Sequence, residues 1–147
     1  MRLKSINIYS SYLGDTAVTR ERTCFLRQES DFLDYVFCKE IKYINNNYCK
    51  QLNIECNENV PNVVIGRFDD SGYPHIELPF IFDDYVRKTA YEKGQFWIKS
   101  LREIFFALSE KYEFEDEKIE VFFNHLNEKY NSTNMYEKVK RELQDSL

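Results

Sequence analysis

The apolar positions between Gln95 and Tyr130 follow the period of an α-helix in two successive stretches. The first stripe consists of Trp97, Leu101, Ile104, Phe105, Leu108 and Tyr112. The second consists of Ile119, Phe122, Phe123, Leu126 and Tyr130. Stripes of this spacing predict two amphipathic helices, each with one buried face. Asp116 is the expected N-cap of the second helix, and Glu117 falls in its first turn, where the helix dipole favours an acidic residue.

The N-terminal third carries shorter patterns. Ile6 and Ile8 alternate with polar residues in the segment from Arg2 to Ser10, which predicts a strand, and Gly14-Asp15 is the break that follows it. We expect a second strand from Thr23 to Arg27. Ser30 is then a candidate N-cap for a further helix, although the β-branched and aromatic content of that segment leaves a strand as the alternative. The apolar positions of this segment are Leu33, Val36, Phe37, Ile41 and Ile44.

The clearest local signal in the middle of the chain is a β-hairpin. The apolar run from Asn62 to Phe68 is followed by the turn sequence Asp69-Asp70-Ser71-Gly72 and by the alternating segment from Tyr73 to Phe80. Pro74 and Pro79 cannot donate ladder hydrogen bonds, so the second strand is expected at a sheet edge or very short. A short helical turn from Tyr85 to Tyr91, ended near Gly94, and a last helix from about Asn134 complete the predicted elements.

These elements predict the α+β class: a small antiparallel sheet with helices packed on one face and a helical C-terminal part. The 147 residues indicate a single globular domain spanning 1–147. The segment MRLKSINIYSS has no apolar run behind its basic residues, and no window has the length of a membrane span. We therefore expect a cytoplasmic protein that does not contact a membrane.

Charge is unevenly distributed along the chain. Residues 51–147 contain 12 Lys+Arg and 19 Asp+Glu, a net charge of −7, whereas residues 1–50 carry a net charge of +2. A negative region repels phosphate groups, so direct nucleic-acid binding is disfavoured. The same charge would attract a basic protein partner over a long range, although mild acidity also simply keeps proteins soluble.

Candidate chemistry is sparse. The two histidines, His75 and His125, have no nucleophile or metal ligand at a motif spacing. The four cysteines lie 14, 11 and 7 residues apart, which matches no zinc pattern, and in a reducing compartment they are expected to be free thiols, mostly buried. We therefore expect no catalytic residue, no metal site and no cofactor.

The segment from Pro79 to Tyr130 resembles a group of small bacterial immunity proteins, the inhibitors of polymorphic and contact-dependent growth-inhibition toxins. The resemblance consists of an aromatic-Asp-x-Tyr step, a helix with a Leu-x-x-Ile core and a further helix rich in aromatic residues. The matching positions are Phe82, Asp83, Tyr85, Leu101, Ile104, Leu108 and Phe123. Phe105 departs from the pattern, which usually has a small residue or His there. The resemblance implies a non-enzymatic protein that neutralises a cognate toxin domain.

If that function is right, acidic residues in the loops are the natural contacts for a basic toxin domain, which could be a nuclease. The candidate partner-binding residues are Asp69, Asp70, Asp83, Asp84, Glu113, Glu115, Asp116 and Glu117. Two alternatives stay open. One is a small enzyme with an acid site around Asp83, Asp84 and Glu77, and the other is a structural or adaptor subunit of a bacterial or phage assembly.

Overall fold

The strands that the structure describes form one four-stranded mixed sheet. The computed structural model describes residues 5–33, 49–66, 73–112, 116–130 and 141. The strands are β1 (Ser5–Ser10), β2 (Gln51–Asn57), β3 (Val64–Ile65) and β4 (His75–Pro79). They lie in the order β1-β2-β4-β3. β1, β2 and β4 run parallel to one another, and β3 pairs with β4 in the antiparallel sense.

The described residues contain four helices, which together with the sheet establish the α+β class. They are α1 (Thr16–Leu33), α2 (Phe82–Arg87), α3 (Ala90–Tyr112) and α4 (Asp116–Tyr130). Asp15 caps α1, because its Oδ1 accepts hydrogen bonds from the backbone N–H groups of Ala17 and Val18 at 2.9 and 3.2 Å. None of the helices that the structure describes is long and apolar enough to cross a bilayer.

The core lies between one face of the sheet and the helices. Alternate strand residues, among them Ile8, Ile54 and Ile76, point into it and are fully buried. The helical contribution consists of Leu26, Tyr85, Trp97, Ile98, Leu101, Ile104, Phe105, Leu108, Ile119, Phe122, Phe123 and Leu126. Both predicted helical stripes are therefore confirmed as core faces over their described residues, and the prediction that helices pack on one face of the sheet is confirmed as well.

The sheet itself is mixed, whereas an antiparallel sheet was predicted. α1 carries the chain away from the end of β1, and the chain returns to form β2 in the parallel direction, as helical crossovers do. Two local predictions about this part of the chain are also wrong. Thr23 to Arg27 lies inside α1, and Ser30 also belongs to α1 instead of capping a new helix. The segment 34–48, which contains the rest of that predicted helix, lies outside the described residues.

The hairpin is confirmed for its two strands, with Val64 opposite Glu77 and Ile65 opposite Ile76. β4 is not an edge strand, because it lies between β2 and β3. Pro74 lies just before the strand, and its carbonyl accepts a hydrogen bond from Asn53 N–H at 3.1 Å. Pro79 is the last residue of the strand, where a missing donor interrupts little of the ladder. The turn between the two strands lies outside the described residues.

The start of α3 also differs from the prediction. The helix begins at Ala90, so Gly94 lies inside it and does not end a preceding turn. Thr89 and Glu92 form a capping box: Glu92 N–H donates to Thr89 Oγ1 at 3.2 Å, and Thr89 N–H donates to Glu92 Oε1 at 3.0 Å. The hydrogen bond from Thr89 N–H lowers the pKa of the Glu92 carboxyl. The helix predicted from about Asn134 lies outside the described residues, apart from the helical backbone of Arg141.

Candidate functional site

The face of the sheet opposite the core is polar and only partly covered. Because side chains alternate along a strand, the residues between the buried positions all project to this second face. One row of directly opposed residues runs across three strands and consists of Tyr9, Glu55 and Glu77. His75 occupies the neighbouring row on β4, opposite Asn53. We call Tyr9, Glu55, His75 and Glu77 the sheet-face cluster.

The sheet-face cluster is closely spaced. One potential ligand atom from each of Glu55, His75 and Glu77 lies within 4.8 Å of the other two. Tyr9 reaches across β2 to His75, and its hydroxyl oxygen is 2.8 Å from the imidazole Nδ1. Asn57 Nδ2 donates a weak hydrogen bond to Glu77 Oε1 at 3.4 Å. Two carboxylates, an imidazole and a phenol thus meet on a half-buried surface.

The surroundings of Glu55 and Tyr9 disfavour the charged forms of these two groups. Partial burial is the main cause that raises the pKa of the Glu55 carboxyl, and the hydrogen bond and charge of Glu77 raise it further, although His75 and Asn57 act in the opposite direction. Burial, followed by the charges of Glu55 and Glu77, raises the pKa of the Tyr9 phenol. Glu55 and Glu77 thus lie directly opposite each other on neighbouring strands, where a cation can bind between them.

A second concave surface lies where the parallel strands β2 and β4 end. It is a groove of about 380 Å³, which we call the α2 groove. Its lining is largely apolar and consists of Glu58, Val60, Pro61, Pro79, Phe80, Ile81, Asp84, Tyr85, Lys88 and Phe96. In sheets of parallel strands, ligands commonly bind beyond the carboxyl ends of the strands. The α2 groove occupies that position.

Charged groups line the rim of the α2 groove. Glu58 pairs with Arg22, with Oε1 2.9 Å from Nη1, and also accepts a hydrogen bond from the Phe82 N–H at 3.3 Å. The guanidinium of Arg22 lies 4.6 Å from the centre of the Phe82 ring. Asp84 is exposed in the first turn of α2. The groove thus combines an apolar lining with carboxylates at its margin.

The predicted partner-binding acids fall into two groups. Asp83 and Asp84 are exposed on α2, and Glu117 is exposed in the first turn of α4. Asp84 lines the α2 groove, whereas Glu77, which the enzyme alternative grouped with it, belongs to the sheet-face cluster. Asp69, Asp70, Glu113 and Glu115 lie outside the described residues, as does the side chain of Asp116, the first residue of α4. Their role therefore stays a prediction.

The aromatic-Asp-x-Tyr step has a structural role at two of its three defined positions. Tyr85 is fully buried, donates its hydroxyl hydrogen to Glu29 Oε2 at 2.9 Å and accepts one from Trp97 Nε1–H at 2.7 Å. Phe82 packs edge-on against Phe25. Asp83 alone projects to solvent. Most positions that resemble the immunity proteins are thus determined by packing.

Comparison with known proteins adds no relative. No family model matches the chain, and neither curated proteins nor solved structures provide a match. Function must therefore be inferred from the two surfaces themselves.

Sequence reasoning missed the sheet-face cluster because its members come from three strands. The alternation of Leu52, Ile54 and Cys56 would have predicted β2 and placed Glu55 on the polar face. No spacing along the chain indicates that Tyr9 and His75, 66 residues apart, are in contact.

Two of the three described cysteines, Cys49 and Cys56, are buried, and Cys24 is exposed. All three are free thiols, as predicted. Burial raises the pKa of Cys49 to about 12 and raises that of Cys56 as well, so neither is reactive as a thiolate at neutral pH.

Proposed function

We propose that this chain is an immunity protein that binds a cognate toxin domain with a basic surface and neutralises it without catalysing a reaction. The observation that carries the proposal is the α2 groove, in which an apolar lining is combined with the exposed carboxylate of Asp84, one of the acids predicted from the sequence. The resemblance of Pro79 to Tyr130 to immunity proteins and the net charge of −7 over residues 51–147 support it.

The α2 groove suits one kind of anchor, a lysine or arginine of the partner. The aliphatic part of such a side chain would pack against Ile81, which is 54% exposed, and against Pro61, while its charged end would meet Asp84. Anchors that fill a pocket near the centre of an interface commonly contribute most of its affinity. Lys88 also lines the groove and is the opposing charge that the partner must accommodate.

α2 and the start of α3 carry further exposed groups. Val86 and Tyr91 are 42% and 39% exposed and follow Ile81 within ten residues of the chain. Asp83 lies beside Asp84 on α2. Apolar side chains flanked by acids are suited to a basic protein partner, since the acids accelerate the encounter and the apolar groups stabilise the complex.

The test begins with the polypeptide encoded beside this gene. Cells that express its toxin domain should stop growing, and co-expression of this chain should restore growth. The two purified proteins should form a stable complex. Growth arrest without rescue and without a complex would refute the proposal and leave the enzyme and adaptor alternatives.

Charge variants then locate the interface. Reversal of Asp83 and Asp84 to Lys should slow association by about tenfold or more at low ionic strength, and the wild-type on-rate should fall as salt shortens the electrostatic range to about 8 Å. Lys88→Glu should accelerate association. Glu128→Lys, an exposed reversal on α4, is the matched control and should change the rate less. If the α2 variants still rescue growth fully and their association rates are unchanged, the interface does not include the α2 groove.

A further inference from the structure

We propose that Glu55, His75 and Glu77 form a binding site for a divalent transition-metal ion of the zinc type on the open face of the sheet. The three side chains belong to two adjacent strands and project to the same side. Their potential ligand atoms already lie within 4.8 Å of one another. Ligands around a tetrahedral zinc ion are about 3.3–3.5 Å apart, so modest side-chain rotations complete the set.

His75 is oriented for this role by groups outside the ligand set. The Tyr9 hydroxyl oxygen lies 2.8 Å from Nδ1, so in the tautomer in which Nδ1–H donates to Tyr9, Nε2 is the nitrogen that can coordinate the ion. Metal-binding histidines characteristically hold their second ring nitrogen in a hydrogen bond of this kind. Gly66 lies against His75, where a Cβ atom would approach the His75 carbonyl oxygen to 2.9 Å and the imidazole ring to 3.4 Å. The absence of a side chain at Gly66 therefore allows its backbone to approach that of His75, whose carbonyl oxygen accepts a hydrogen bond from the Gly66 N–H at 2.8 Å.

The charges of the sheet-face cluster provide the second argument. Glu55 and Glu77 are directly opposite each other on neighbouring strands, an arrangement that is unfavourable when both are ionised. A divalent cation between them removes the repulsion.

The ligand types select the class of ion. One imidazole nitrogen with two carboxylate oxygens suits Zn²⁺, Co²⁺ or Ni²⁺, whereas Mg²⁺ and Ca²⁺ prefer sets made only of oxygen ligands. Three protein ligands leave a fourth position for water or for an atom of a bound molecule. This inference goes beyond the proposed function and involves different residues from the α2 groove, so each proposal can fail while the other stands.

The test is calorimetric titration with Zn²⁺ after treatment with a chelator. It is done in a Cys24→Ser and Cys38→Ser background, which removes the exposed thiol and the cysteine outside the described residues. One ion should bind per chain and should raise the thermal unfolding temperature. His75→Gln and Glu77→Gln should each weaken binding more than tenfold, and Tyr9→Phe should weaken it by about tenfold, as is usual for a group that orients a ligand.

His125→Gln is the matched control, because it removes the other histidine, which is exposed on α4. That variant should bind Zn²⁺ like the background protein. Co²⁺ should give the visible absorption of a nitrogen- and oxygen-ligated site in the background protein and lose it in the folded His75→Gln variant. Binding that is equal in His75→Gln and the background protein, or no binding at millimolar Zn²⁺, would overturn the proposal.

Discussion

The hydroxyl of Tyr85 joins two buried polar groups, Glu29 and Trp97, in the middle of an aromatic core. We expect Tyr85→Phe to reduce the free energy of unfolding by about 1–3 kcal/mol, because each neighbour loses one hydrogen-bond partner in a site that water does not reach. Urea denaturation measures the difference.

Tyr91→Phe is the control for that experiment, since Tyr91 is 39% exposed and water can replace its partner. It should change the free energy of unfolding by less than about 0.5 kcal/mol. Equal effects of the two substitutions would mean that the buried hydrogen bonds of Tyr85 contribute nothing to stability.

Glu55 provides a prediction that depends on pH. Its pKa in the folded protein is raised above the ordinary value of 4.5, so its ionised form opposes folding. This loss of stability is fully present when the pH is above the pKa of Glu55 in the folded state. It vanishes when the pH is below the pKa of Glu55 in the unfolded state. Glu55→Gln should therefore stabilise the metal-free protein at pH 7 by about 0.2–1 kcal/mol, the usual size of a cross-strand pair interaction.

The gain from Glu55→Gln should disappear as the pH falls towards 4, because both states of the wild type then carry a protonated Glu55. Thermal unfolding in the presence of a chelator, repeated at each pH, measures this gain in stability. Glu128→Gln, at an exposed site on α4, should show no comparable gain. A destabilised Glu55→Gln at pH 7 would contradict the electrostatic account of the sheet-face cluster.

At the scale of elements, the capping box of α3 decides where the longest described helix begins. Thr89→Ala should reduce the free energy of unfolding by about 1 kcal/mol, since the Glu92 N–H loses its acceptor. Thr89→Ser keeps a hydroxyl at the same position and should retain most of that stability. Chemical denaturation of both variants is the measurement, and equal losses would show that the hydroxyl is not the cause.

Acidic pH should weaken the same cap. Glu92 has a lowered pKa in the folded state, so its contribution to stability is present above the ordinary pKa of 4.5 and is lost as the pH falls through the pKa of the folded state.

The pattern Thr-x-x-Glu is visible in the sequence, and it would have corrected the prediction that Gly94 ends a preceding turn. A local signal was therefore present at this element.

α1 shows the opposite case. The residues from Thr23 to Arg27 have a local composition compatible with a strand, but they are helical because the Asp15 cap begins a helix that buries Leu26 and Glu29. Tertiary packing overrides propensity in such segments. β2 was missed although the alternation of its apolar and polar residues is visible in the sequence, and its partners lie more than 20 residues away in the chain.

At the scale of the whole molecule, stability depends on the core that α3 forms with the sheet and α4. Leu101→Ala should reduce the free energy of unfolding by about 2–5 kcal/mol, because Leu101 is fully buried and a cavity would remain. Val121→Ala, at a position 68% exposed on α4, should cost less than about 0.5 kcal/mol. A small loss for Leu101→Ala would mean that this face of α3 does not carry the core.

The two surfaces differ in how far the sequence predicted them. The acids of α2 could be predicted from the sequence, because charged residues in a polar segment after a strand are expected at the surface whatever the fold. The sheet-face cluster was not predicted, because the parallel pairing of β1, β2 and β4 brings together residues that are far apart in the chain. The described structure thus adds a second candidate site, on the face of the sheet opposite the core.

The sequence by itself determined the hairpin strands, the apolar faces of α3 and α4, the acidity of residues 51–147 and the α+β class. All of these depend on local periodicity, turn residues or composition. Only the tertiary structure decided the parallel order of the sheet, the place of β4 between two strands and the contact between Tyr9 and His75. The physical reason is that strands pair with segments that are distant in the chain. Which segments pair depends on the burial of an apolar face that they share, and no short window of the sequence contains that face.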